Sequence, residues 1–562
     1  VTDEPYDDAT NRRFAQVAHA AMDALLELDP PTATAAGDHR FDDRLPDRSP
    51  EGLAAGRDLI ETLLGQVDAV DDFGLSGENL VDLEILRAEL TRRLFELEHV
   101  RPVEWNPLTA NPGTALYLLL ARDFAPLADR LQSLAGRLAA VPEFLARSRG
   151  HLAAGGGMPR VHVETALVQL AGTRTLVESQ VGDALALEPL LRGDVEPVQG
   201  AALAALDEHL AWLRAQLATS DRDPRLGEEL YAGRLWHALD AETTPDAVLV
   251  RAESELMRIE AEIADIAAGR DVRGLYDAIA DAGPVDDASI LPLCEQALDE
   301  TTEFVRAHDL VTLPDGWDDL VQIIVMPEIH RGVAVAYCDP PGPLETPGPS
   351  GRPLKTFFAI SPTPADWPAE RVRSFYREYN AHAVRNLTVH EAMPGHVLQL
   401  AHARSFRADS PVRAAFWSGP FVEGWAVHAE VEMATRGFGG EALRLQQLKM
   451  HLRMAINAIL DVRVHARGMT EAEAMELMTV RGHQEEGEAA GKWRRAQLTS
   501  TQLSTYFVGH SDVSRIAADL AVARPGRTVR EHHDAMLAHG SPPPRHLRSL
   551  LGLSGDEPHL AG

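Results

Sequence analysis

Apolar residues recur at spacings of three and four along most of this chain, a rhythm that restricts it to helices packed through one face. The clearest run opens at Thr244-Pro245-Asp246. A capping hydroxyl, a proline at the first helical position and an acid near the positive end of the dipole mark a helix start there. Leu249, Ala252, Leu256, Ile259, Ile263 and Ile266 then fall on one face. Residues 12–28, 50–70, 79–99, 125–150, 160–185 and 198–219 carry a similar Leu/Ala periodicity. No fixed-period repeat marks a solenoid.

One region breaks the rhythm. Residues 321–325, 333–337 and 356–360 are short β-rich runs, and 339–353 is dense in Pro and Gly, so a small sheet is predicted over about 321–360. Helical patterning resumes near Pro368 and continues to about residue 552. Length alone suggests roughly three or four domains. No low-complexity linker cuts the chain, however.

Bulk chemistry excludes several classes. Lys plus Arg number 53 against 85 Asp plus Glu, a net charge of −32, which argues against nucleic acid or an anionic membrane as the main partner. No run approaches the roughly 18 apolar residues of a membrane span. The start VTDEPYDDATNRRF lacks a basic segment followed by an apolar one, so a cytoplasmic location is expected. Cys294 and Cys338, far apart, make neither a disulfide framework nor a Cys-rich zinc site. Lysine occurs only at 355, 449 and 492.

The chemistry concentrates in His390-Glu391-Ala392-Met393-Pro394-Gly395-His396. Imidazoles bind Zn²⁺, and an adjacent Glu can take a proton from a water activated by the metal. In H-E-x-x-H the histidines lie four apart and share a helix face. Here they lie six apart, about 120° around an ideal helix. Pro394 and Gly395 allow a break that swings His396 back toward His390. Glu423 is the candidate third ligand. Glu430, seven residues on, shares its face and can orient a ligand imidazole. Two His, one Glu and an open position make a catalytic zinc arrangement, although Co²⁺ or Mn²⁺ suits the same ligands. His402 and His428 read as packing or surface histidines.

These motifs, with Glu423-Gly424-Trp425-Ala426 and Glu430, resemble the bacterial domain-of-unknown-function 885 family. Asp29-Pro30, Ala33-Thr34, Gly37 and Asp42-Asp43-Arg44-Leu45-Pro46-Asp47 resemble its N-terminal signature. Leu226-Gly227 with Tyr231 resembles a mid-chain signature, and Ala336-Tyr337 with Pro340-Pro341 its strand and loop. Tyr506 and Gly509 match its Tyr-x-x-Gly, while Thr501-Gln502 and His510 depart from the residues common beside it.

The resemblance implies similarity to Taq-type zinc metallocarboxypeptidases. The implied fold is a mainly α, two-lobed body with a central cleft and a small sheet beside the active-site helix. It also implies one family-wide domain over 1–562, with an N-terminal helical lobe at 1–315 and the metal-site half at 316–562. The expected activity is hydrolysis of peptide bonds with one Zn²⁺ per chain on His390, His396 and Glu423. Glu391 is the expected general base and Tyr506 the expected hydrogen-bond donor to the oxyanion. Segment 355–360 is the expected edge strand for an extended substrate. A carboxypeptidase needs a cation for a terminal carboxylate, and Arg377, Arg494, Arg495 and Lys492 lie in relevant segments. The substrate expected is a peptide or small amide. The alternatives are a zinc amidase or esterase on a small metabolite and a non-catalytic metal binder; a homodimer is left open.

Overall fold

Thr244 caps a helix as its sequence predicts: its hydroxyl accepts from the Ala247 amide at 3.2 Å, and Pro245 occupies the first turn. The protein, described by a computed structural model over residues 7–241, 243–326, 335–364 and 367–553, is mainly helical with one small sheet. Among the described residues no helix is long and apolar enough to cross a membrane.

The chain forms two compact units. The first comprises residues 1–224, 341–355 and 408–416. Its long helices include α1 (Asp8–Leu28), α2 (Leu127–Ala154) and α3 (Arg192–Gln216), with α2 packed along α3. Arg413, almost fully buried, is held by Asp82 at 2.8 Å within this unit.

The second unit comprises residues 225–340, 356–407 and 417–562. It begins with helices that include α4 (Pro245–Ala267) and α5 (Ile290–Ala307). Strands β1 (Val321–Val325), β2 (Ala336–Asp339) and β3 (Thr356–Ile360) follow. Then come α6 (Ala369–Glu378), α7 (Ala381–Glu391), α8 (His396–Ser405), α9 (Gly419–Thr435), α10 (Gly440–Arg467), α11 (Glu486–Leu498) and α12 (Gln502–Ala523). The division at 224/225 differs from the expected lobe boundary at 315/316. The reason is packing: α4 lies along α10 and α5 along α7, so both helices belong with the metal-site segments.

Helix α10 is the axis of one core. Leu448, Leu452, Ala455, Ile459 and Val462 are buried around it and meet Val248, Ala252, Leu256, Ile259 and Ile263 of α4. Leu249 and Ile266, predicted for that face, lie at its margin and are only partly buried. Most of α10 is buried, polar Gln446, Gln447, Lys449, His451, Asn457 and Asp461 included, so it carries little surface.

In the sheet β3 is central, parallel to β1 and antiparallel to β2. The expectation that 355–360 is an edge strand is therefore corrected: both sides of β3 are paired, and the edge facing α7 is β2. Of the 333–337 run, Val333 and Ala334 lie outside the described residues.

Candidate metal centre

Helix α7 starts where the Asn380 side chain accepts from the His382 and Ala383 amides, and it ends at Glu391. Ala392 leaves helical geometry at φ −126°, and Pro394 has no amide to continue the ladder. The next helix, α8, begins at His396. Gly395 makes this tight return: a Cβ there would lie 1.9 Å from the His390 carbonyl oxygen and 2.3 Å from that of Val389. The Gly395 amide donates to Val389 O at 3.0 Å, and the Trp425 indole donates to Pro394 O at 2.8 Å.

The break brings the two imidazoles together across their six-residue spacing. Their ring centroids are 4.7 Å apart and nearly perpendicular. Glu423, on α9, points Oε2 at both: His390 Nε2 is 3.4 Å away and His396 Nε2 3.5 Å. Neither contact has hydrogen-bond geometry, so Glu423 Oε2 is a buried oxygen without a hydrogen-bond partner among the described residues.

This donor set fits a tetrahedral divalent cation. Zinc bonds of about 2.0–2.2 Å put neighbouring ligand atoms roughly 3.4 Å apart. One atom from each of His390, His396 and Glu423 lies within 4.8 Å of the others.

Glu430, two turns beyond Glu423 on α9, accepts at Oε1 from His390 Nδ1 at 2.7 Å. Its Oε2 accepts from Asn386 Nδ2, also at 2.7 Å. In the neutral ring the Glu430 bond keeps the proton on Nδ1 and the lone pair on Nε2, the nitrogen that faces Glu423. Carboxylates on both ring nitrogens also hold the His390 pKa well above its ordinary value, against the effect of burial. The same imidazoles hold Glu423 well below the usual carboxylate range despite its burial.

Glu391 is buried and lines the same cavity. Burial raises its pKa; His390 and His396 oppose the shift, and Glu423 and Glu430 add to it. Tyr506, on α12, also lines the cavity, with its ring centroid 6.4 Å from that of His390. Burial and Glu423 push its phenol up, while Arg495 pulls it down.

The cavity has a volume of about 350 Å³ and lies wholly within the second unit. Val335, Ala336, Tyr337, Cys338 and Pro340, on and beside β2, form one wall. Of the cations singled out in the sequence, Lys492 and Arg495 reach the cavity. Arg377 is instead paired with Asp277 at 2.5 Å and Asp281 at 2.6 Å, and Arg494 is not among the lining residues.

His402 bonds Thr312 O through Nε2 at 2.7 Å, and His428 is buried against His533; neither joins the centre. Asn386 and Arg453 escape sequence reasoning. Asn386 had a signal, standing one turn before His390 on the same face. Arg453, which lines the cavity from α10, had none, because its place depends on how α10 packs.

The chain is similar to known proteins along nearly its whole length. The family described as "Bacterial protein of unknown function (DUF885)" matches residues 30–551. A solved structure titled a putative lipoprotein of unknown function from Shewanella oneidensis is 26% identical, with a TM-score of 0.79 over 96% of this chain and 99% of that one. A putative lipoprotein from Colwellia psychrerythraea, 16% identical, shares the fold with a TM-score of 0.79 over 97% of this chain and 98% of that one. No match was found among the curated proteins.

Proposed function

The chain belongs to the bacterial DUF885 family of unknown function, and from its centre we propose that it is a zinc-dependent hydrolase of peptide bonds. The observation that carries the reading is the convergence of Glu423 Oε2 on His390 Nε2 and His396 Nε2, at 3.4 and 3.5 Å, with Glu391 beside them. A zinc ion held by these three residues would supply Lewis acidity for a carbonyl and lower the pKa of a water.

The remaining roles belong to the chain. Glu391, with its raised pKa, takes a proton from the attacking water and hands it to the leaving amine. Tyr506, kept protonated by burial, donates a hydrogen bond to the developing oxyanion. Glu430 and Asn386 fix the tautomer and orientation of His390. The edge strand β2 on the cavity wall favours an extended peptide over a small amide, because its backbone groups can pair with a peptide backbone.

Similarity to the Taq-type metallocarboxypeptidases is part of the same proposal, as is a cytoplasmic location. Recovery of the protein in the cell-envelope fraction, where a lipoprotein resides, would overturn the location. The activity is tested with zinc-loaded protein on a peptide panel. Hydrolysis that disappears in Glu391→Gln while zinc stays bound supports it. No cleavage across the panel by the unsubstituted protein would remove it in favour of a metal binder.

A further inference from the structure

The cavity that holds the candidate metal centre is also lined by cations. On α10, Met450, Arg453, Met454 and Asn457 line it at helical spacing. On α11, Lys492 and Arg495 line it three residues apart, on one face.

The charges on this wall do not balance. Glu378 answers Lys449 at 2.8 Å, and Glu488 answers Arg453 at 3.1 Å. The Tyr379 hydroxyl donates to Glu488 at 3.0 Å. Lys492, 7% exposed, has no ion pair or hydrogen bond with a described residue; Glu488 and Glu378 act on it only at longer range. Arg495 spends one guanidinium nitrogen on the Gln502 carbonyl oxygen at 2.9 Å, and its buried Nε has no hydrogen-bond partner among the described residues.

A buried cation without a partner is costly, and so is a buried unsatisfied donor. In a chain of net charge −32, two such groups on one cavity wall are best explained by an anion that arrives with the substrate. Burial, Arg453 and Arg495 together hold the Lys492 ammonium well below its ordinary pKa, a field that a bound carboxylate would reverse.

We infer that Lys492, with Arg495 beside it, binds a carboxylate of the substrate, so that the bond presented to His390, His396 and Glu423 lies near that carboxylate. This rests on the hydrolase reading for the word substrate; the binding itself does not depend on turnover. The carboxylate is a free peptide C-terminus or an acidic side chain, two sources with one chemistry.

The test uses the Glu391→Gln protein, with and without zinc, in calorimetric titrations. The probes are N-acetyl-Leu-Leu, its C-terminal amide and N-acetyl-Leu-Glu amide. The free acid should bind at least about tenfold more tightly than its amide. Tight binding of the Glu amide as well assigns the anion to a side chain. Lys492→Met should erase the acid–amide difference, and Lys492→Arg should restore part of it. Arg495→Gln should narrow the difference about threefold, a second measurement should Lys492→Met fail to fold.

Equal binding of all three probes, no binding of any probe, or a preference for a carboxylate-bearing probe that survives Lys492→Met overturns the inference. Hydrolysis by the unsubstituted enzyme separates the two readings. Cleavage of all three probes at equal rates removes the carboxylate site and leaves the hydrolase. A binding preference without any cleavage does the reverse.

Discussion

Gly424 and Gly509 mark the point where α9 and α12 cross, and neither position has room for a side chain. A Cβ on Gly424 would lie 2.3 Å from the Gly509 carbonyl oxygen, and one on Gly509 would lie 2.1 Å from that of Pro420. The close crossing holds Glu423, next to Gly424, and Tyr506, one turn before Gly509, against the same cavity. In an exposed helix, Gly→Ala gains about 0.5–1 kcal/mol. Here the sign reverses: Gly509→Ala should cost about 1–3 kcal/mol through overpacking. Gly200→Ala on α3, where nothing lies within 4 Å, should gain the ordinary amount. Thermal unfolding of the two variants checks this; similar shifts for both would contradict it.

The metal affinity of His390 should depend on a residue that never touches the ion. Glu430→Ala removes the acceptor of His390 Nδ1 and leaves the imidazole free to turn. Zinc affinity should fall by about 10–100-fold, and Glu423→Ala should cost more. Competition with a chromophoric chelator measures both, and an unchanged affinity in Glu430→Ala removes it from the centre.

Tyr506→Phe tests the oxyanion donor. The ring stays and the hydroxyl goes, so zinc content should be unchanged while turnover falls by about a hundredfold or more. Undiminished turnover would make Tyr506 a packing residue.

Three histidines should make the second unit acid-labile. Burial depresses His428, His451 and His510 to about 3 each. His533 adds to the effect at His428, Arg258 and Arg444 at His451, and His451 at His510. Ser514 bridges the Nδ1 atoms of His428 and His510 at 3.2 Å each, a pairing suited to neutral rings. The unfolded chain protonates near pH 6.5, whereas the folded one resists until about 3. Stability is therefore complete above about pH 6.5 and is lost as pH falls toward 3. At pH 5.5 each group costs about 1 kcal/mol relative to pH 7.5. Urea unfolding at the two values checks this. His510→Gln should flatten the loss by one group's share, and an unchanged slope would contradict it.

Helices were readable from short stretches because their period is local. The runs at 50–70 and 198–219 correspond to Pro50–Asp68 and the later part of α3. Strands 321–325 and 356–360 matched residue for residue. Their order did not, because placing β3 in the centre depends on partners supplied from two other parts of the chain. The division at 224/225 was not legible for a related reason: α4 and α5 choose their unit by what they pack against, and neither carries that information in its own residues.

The chain's own order of residues determined which chemical groups the centre contains and that a helix must break between His390 and His396. A proline without an amide and a glycine without a Cβ are properties of those positions alone. Only the tertiary structure decided that the break turns His396 toward Glu423, that Glu430 and not Glu423 takes His390 Nδ1, and that Lys492 stands on the cavity wall with no ion pair to a described carboxylate. Those outcomes depend on how α7, α9, α10, α11 and α12 pack, and packing sums interactions between residues far apart in sequence, which no local pattern encodes.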